Sequence, residues 1–142
     1  MSKGNTFEND LLKLLFNATA MANVADNAGT SPLTNLYVSL HTADPGEGGT
    51  QETSEAAYTS YARVAVERTS SGWTVTDNAV APVAEIQFPD ATGGSETLTH
   101  VGIGTASTGA GKMLYSGTLS PNIVVTTGTR PIIGTGTLVT EE

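Results

Sequence analysis

Two histidines, His41 and His100, and a run of acids, Asp44, Glu47, Glu52 and Glu55, are the side chains here best suited to acid–base or metal chemistry. Neither set has the spacing that a reaction demands. A Ser-His-Asp triad needs a base aimed at a nucleophile on a strained turn, and the chain has no Gly-x-Ser-x-Gly segment. A zinc site would need clustered His or Cys ligands or an HExxH helix; there is no cysteine, and the two histidines are far apart. They read as ordinary surface or half-buried side chains. The four acids could offer oxygens to calcium, but the EF-hand spacing is missing, and a solvated acidic loop is the simpler reading. As an acid–nucleophile pair they could cut a glycosidic bond only beside a sugar-binding cleft, and a single tryptophan argues against one. No enzyme, cofactor or metal is expected.

Two glycine segments invite a nucleotide reading and fail it. Gly102-Ile103-Gly104-Thr105-Ala106-Ser107 opens like a dinucleotide fingerprint, but Ser107 stands at the third glycine and no helix pattern follows. Gly109-Ala110-Gly111-Lys112 is like the end of a phosphate loop. There Ala106 takes the place of the first glycine, and Met113 stands where Ser or Thr must hold magnesium. The first reads as a strand end and the second as a hairpin turn.

The charge balance narrows the partners. Six basic residues against 14 acidic ones leave a net charge of −8. A nucleic-acid binder displaces counterions from phosphates with Lys and Arg, and so few, scattered, make no basic face. Direct DNA or RNA binding is not expected. No apolar run approaches the length of a membrane span, and Met1-Ser2-Lys3-Gly4-Asn5 leads into a charged amphipathic stretch rather than a signal sequence. The length suits one domain.

The elements that must position these side chains are mostly strands. Thr6, as N-cap, opens the one convincing helix, expected over residues 6 to 26, with Glu8 and Asp10 in the first turn. Phe7, Leu11, Leu14, Leu15 and Ala18 fall on one stripe. This stripe closes the core or docks on a partner. From Asn35 the period changes to two. Leu36, Val38 and Leu40 share a face, and Ala43 to Glu55 follows as a long polar loop, solvated by default. Tyr61 to Thr69 and Trp73 to Val75 predict a hairpin about Ser70-Ser71-Gly72. Asp77-Asn78 turns again, and Val83 to Phe88 is the next strand. Leu98 to Thr105 and Lys112 to Leu119 predict a second hairpin. Ile123 to Thr126 and a segment within Ile132 to Thr140 complete about eight short strands. The expected fold is a mainly β, single antiparallel β-sandwich or small barrel, jelly-roll-like, over residues 30–142, preceded by a helical arm over 1–29. Trp73, beside a turn in a small apolar core, is expected to be buried.

Four segments carry a resemblance. Leu36-Tyr37-Val38-Ser39-Leu40-His41-Thr42-Ala43-Asp44-Pro45-Gly46, Tyr61-Ala62-Arg63-Val64-Ala65-Val66, Gly72-Trp73-Thr74-Val75 and His100-Val101-Gly102-Ile103-Gly104-Thr105 are similar to segments of small virion surface proteins of tailed bacteriophages. Such proteins are often labelled tail fibre, minor tail or capsid decoration protein. The resemblance spans roughly residues 10 to 120, and its motifs carry no catalytic residues. It implies a non-enzymatic virion component made in the host cytoplasm. Short, acidic and without a repetitive shaft, the chain reads first as a capsid decoration or cement protein. In that role it would bridge the phage major capsid protein and other copies of itself as a homo-oligomer. Phe7, Leu11, Leu14, Leu15 and Ala18 would then make the partner contact. The alternative is a tail fibre or minor tail protein acting in adsorption.

Overall fold

The computed structural model describes residues 5–20 and 33–141. In chain order the elements are α1 (Asn5–Phe16), β1 (Asn35–His41), β2 (Val64–Glu67), β3 (Trp73–Thr76), β4 (Ala79–Pro82), β5 (Ile86–Gln87), β6 (Glu96–Gly104), β7 (Met113–Val125), β8 (Ile132–Ile133) and β9 (Val139–Thr140). The class is the expected one: mainly β, with antiparallel ladders and one N-terminal helix. Among the described residues no sheet closes into a barrel. The chain packs as two compact units. The first is drawn from Met1–Asn35, Val66–Glu85 and Gly134–Glu142, the second from Leu36–Ala65 and Ile86–Ile133.

In the first unit α1 is shorter than its apolar pattern predicts. It ends at Phe16, and Asn17 and Thr19 both donate backbone N–H groups to the Lys13 carbonyl, at 3.0 and 3.1 Å. Ala18, with φ 51°, turns the chain through the left-handed region. The rest of the expected helix, residues 21 to 26, and the Asp26-Asn27-Ala28-Gly29 stop lie outside the described residues. The face buried is also a different one. Leu12 and Phe16, one turn apart, are fully buried, and Glu8 one turn earlier is buried too. Phe16 meets Trp73 edge-on, ring centroids 4.8 Å apart and planes at 70°, an arrangement that aromatic quadrupoles favour. Trp73 is fully buried as expected.

β3, β4 and β9 form a three-stranded sheet in that order. The hairpin expected between Tyr61–Thr69 and Trp73–Val75 does not form. β3 pairs instead with β4, Thr76 opposite Ala79, across the two-residue turn Asp77-Asn78. Asp77 adopts φ 52°, a conformation that Asp and Asn tolerate and that suits such a turn. Val80 and Val139, paired across β4 and β9, are both buried. Arg68 satisfies carbonyls at the helix C-terminus. Its Nε donates to Leu15 O at 2.6 Å, Nη2 to Leu14 O at 2.7 Å and Nη1 to Leu33 O at 2.8 Å. A cation there also opposes the negative end of the helix dipole.

The four-stranded sheet runs β2-β1-β6-β7, and the second unit is built on its β1-β6-β7 part and the two-stranded ladder β5-β8. The β6–β7 pair is the second hairpin expected from the sequence. Its register jumps between Leu98↔Ile123 and His100↔Thr118, so Leu119–Asn122 bulges opposite the single residue Thr99. Leu36, Val38 and Leu40, as the alternation predicts, are buried with Val101, Ile103, Leu98 and Phe88. The expected strand Val83 to Phe88 is reduced to β5, and the final segment splits into β8 and β9.

Candidate functional site: a buried polar clasp beneath a long loop

The face of β1 opposite its apolar residues carries Ser39 and His41, both with no exposed surface. His41 is therefore not the surface or half-buried side chain its sequence position suggested. Its Nδ1 lies 2.9 Å from the Thr53 carbonyl, which can only accept, so Nδ1 carries the proton. The neutral ring then accepts at Nε2 from the Ser39 hydroxyl, 2.9 Å away. A serine on a histidine held by a backbone carbonyl has the parts of a nucleophile–base pair. Both side chains are completely buried, and through the Thr53 carbonyl they fasten the loop after β1 to the sheet.

That loop is solvated over most of residues 42–48, as expected, and pinned from Gln51 to Ala56. Thr42 N–H donates to Ser54 O and Ala56 N–H to Leu40 O, each at 2.8 Å. Gln51, fully buried, receives the Ala106 N–H at 2.9 Å and donates to Tyr37 O at 3.3 Å, while its own N–H reaches Ala110 O at 2.8 Å. Glu55 is clasped by Arg63 through both oxygens, Nε–Oε1 2.6 Å and Nη2–Oε2 2.8 Å. Arg63 also donates to Ala106 O and Gly109 O, at 2.8 and 2.7 Å, and only 2% of its side chain is exposed. Tyr61 donates to Glu55 Oε1 at 2.9 Å and accepts the Leu40 N–H at 3.1 Å. The strands thus carry a layer of polar side chains that joins the loop after β1 to the hairpin loop between β6 and β7.

The glycines in the discarded nucleotide motifs make this layer possible. A Cβ on Gly102 would stand 2.8 Å from His41 Nε2, one on Gly104 2.2 Å from Gln51 Cδ, and one on Gly111 2.3 Å from Gln51 Oε1. Glycine inside a strand marks such a close approach, and that was the sequence signal available for this site. Because Gln51 is held at both ends of its amide, it cannot swing aside cheaply. Gly104→Ala is therefore expected to lower stability by about 1–3 kcal/mol through overpacking, measured by urea denaturation. Combining it with Gln51→Ala should cost less than the two single losses added, since the clash is then removed.

Electrostatics follow from burial. Desolvation is the largest influence on His41 and holds its pKa below the ordinary 6.5; the Thr53 carbonyl and Glu55 act the other way, Arg63 and His100 with it. Burial pushes the Tyr61 phenol far up, and takes Tyr58, beside Glu96 and Asp90, to about 12. Stability should respond to His41 with a definite sign. Below pH 6.5 the unfolded chain takes up a proton that the folded state resists. The contribution present at higher pH is lost as pH falls through 6.5, and the loss levels off beneath the depressed folded value. Urea midpoints between pH 8 and 5 should show this decline, and His41→Gln should flatten it relative to the parent.

A cleft of about 210 Å3 sits at the outer end of the clasp, lined by Glu55, Tyr61, Ala62, Arg63, Ser107, Thr108 and Gly109. Among the described residues no three His, Asp or Glu side chains gather as a metal site, and no helix is long and apolar enough to cross a membrane. The expected partner stripe is only partly gathered. Leu11, Leu14 and Leu15 lie half-buried along α1, Ala18 is exposed beyond its end, and the Phe7 side chain is outside the described residues.

Side chains committed to holding loops onto a sheet are those of a scaffold. The whole-chain comparison agrees: the chain belongs to the family described as podophage GP4 fiber I protein gp80, whose model matches residues 2–141. It is accordingly a structural protein of a tailed-phage virion. None of the curated proteins matches the chain.

Proposed function

We propose that the chain is a non-catalytic fibre component of the virion, acting in contact with the host rather than clamping the capsid. The observation that carries this reading is the match of residues 2–141 to a fibre family; the capsid decoration role rests on shortness, acidity and the lack of a repetitive shaft, against which the family match weighs more. The clasp supports it physically. A fibre element must keep a recognition or joining surface in shape, and loops do this when a rigid sheet positions them. Here the loop after β1 and the hairpin loop after β6 are tied together by Arg63 and Gln51. Leu11, Leu14 and Leu15, half-exposed on α1, are the contact we assign to a neighbouring virion protein.

The test is a phage lacking this chain. Particles should have sound, DNA-filled heads and should adsorb poorly to cells, with labelled antibody on intact virions marking fibres or tail. Normal adsorption together with heads that leak DNA on heating would replace this reading with the capsid clamp.

A further inference from the structure

We infer that the cleft between α1 and the β3–β4 turn is a socket for an arginine side chain carried by another protein, with the Glu8 carboxylate as its acceptor. The cleft measures about 680 Å3 and is lined by Glu8, Asn9, Asp10 and Lys13 of the helix and by Asp77 and Asn78 of the turn. All of these residues belong to the first compact unit. Asn9 ties the two walls together, donating from Nδ2 to the Asp77 carbonyl. Glu8 is the unusual member. Only 6% of it is exposed, yet among the described residues no hydrogen bond or ion pair reaches its carboxylate. Buried carboxylates are kept where a partner offsets the lost water. The helix dipole favours an acid in the first turn, but an exposed acid serves it equally, so the dipole does not account for the burial. Glu55 shows what this fold supplies to such a group: both of its oxygens receive an arginine. Glu8 has the burial without the arginine.

The chemistry of the lining selects the occupant. It holds three carboxylates, those of Glu8, Asp10 and Asp77, against the one ammonium of Lys13. The helix N-terminus adds only about half a positive charge, so the cleft favours a cation. Among the described residues these acids do not converge as a metal site, which favours an extended cation over a metal ion. A guanidinium fits. It spreads its charge over five N–H donors in one plane, grips a carboxylate at both oxygens and sheds water more readily than an ammonium. It has to come from outside. Arg63 is held by Glu55, Arg68 by the carbonyls of Leu14, Leu15 and Leu33, and Arg130 by Asp90, and these are the chain's three arginines. The inference is independent of whether the chain sits on tail or head.

Amide NMR of the purified full chain, with a capped Gly-Arg-Gly peptide as the probe, tests it. Saturable shifts centred on Thr6–Lys13 and Asp77–Asn78 are expected, and added salt should weaken the binding by screening. The same peptide with citrulline, the uncharged counterpart of arginine, should not bind, and capped Gly-Lys-Gly should bind more weakly. Glu8→Gln should weaken arginine binding about tenfold or more. Its urea midpoint should stay at or above that of the parent, because an unpaired buried charge has been removed. Absence of shifts, equal binding of the citrulline or lysine peptide, or binding that Glu8→Gln leaves unchanged overturns the inference. A lower midpoint for Glu8→Gln would show Glu8 to be paired already and overturns it too. Lys3 precedes Glu8 in the sequence. Arginine binding that appears only after Lys3→Ala would give the cleft to this chain's own cation, with the same consequence.

Discussion

Arg63→Ala should destabilise the protein by about 3 kcal/mol, the low end of the cost of leaving one member of a buried ion pair alone, because the Glu55 side chain keeps 16% of its surface exposed. The substitution strands the Glu55 carboxylate with the Tyr61 hydroxyl as its remaining side-chain partner, and it uncovers the carbonyls of Ala106 and Gly109. Arg63→Lys should recover little, because an ammonium cannot grip both carboxylate oxygens and two carbonyls from one plane. The decisive measurement is the double-mutant cycle. Glu55→Ala with Arg63→Ala should lose much less than the sum of the single changes, since neither partner is then left unpaired. Additive losses would mean that the pair contributes nothing jointly and that the clasp rests on Gln51 and His41 alone.

Trp73→Ala is expected to cost a similar amount, about 3–5 kcal/mol, in the other compact unit. The ring has no exposed surface and carries the edge-on contact with Phe16. Its indole N–H has no hydrogen-bond partner among the described residues, so the loss is one of packing. Phe16→Ala should show the same dependence, and the pair together should fall short of additivity. Chemical denaturation followed by circular dichroism reads these changes after the tryptophan is gone. A loss under about 1 kcal/mol for Trp73→Ala would contradict the burial.

These two sites were not equally visible in the sequence. The burial of Trp73 was legible because a lone large aromatic beside a turn has few alternatives in a small core. The strands β1, β6 and β7 were legible from period-two alternation. The face of α1 was not. Phe7, Leu11, Leu14, Leu15 and Ala18 form one apolar stripe and Leu12 with Phe16 another, and on so short a helix sequence spacing does not decide which one faces the sheet. The extent of α1 was overread because Ala18 supports a helix pattern until the backbone takes φ 51° there. The clasp escaped notice for a different reason. Gln51, Glu55 and Arg63 are polar, and polarity alone reads as solvent exposure; only the partners brought in from Ala106, Gly109 and Tyr37 make burial affordable. In sequence the paired glycines of β6 resemble a failed nucleotide motif, and only the fold shows them as the space into which the His41 and Gln51 side chains fit.

The interleaving of the two units constrains how this protein can change over generations. Each unit is assembled from separated stretches, with boundaries after Asn35, Ala65, Glu85 and Ile133. A single genetic crossover within residues 36–133 therefore carries away a fragment of both units and a whole copy of neither. Fibres that diversify by trading continuous cassettes need modules that a pair of breakpoints can lift out, and the first unit here would need several. Exchange between related phages should preserve function when breakpoints fall outside this chain. Within it, variation should accumulate as point changes at exposed positions, such as Ser120, Pro121 and Asn122 in the bulge of β7 that leaves the β6–β7 ladder.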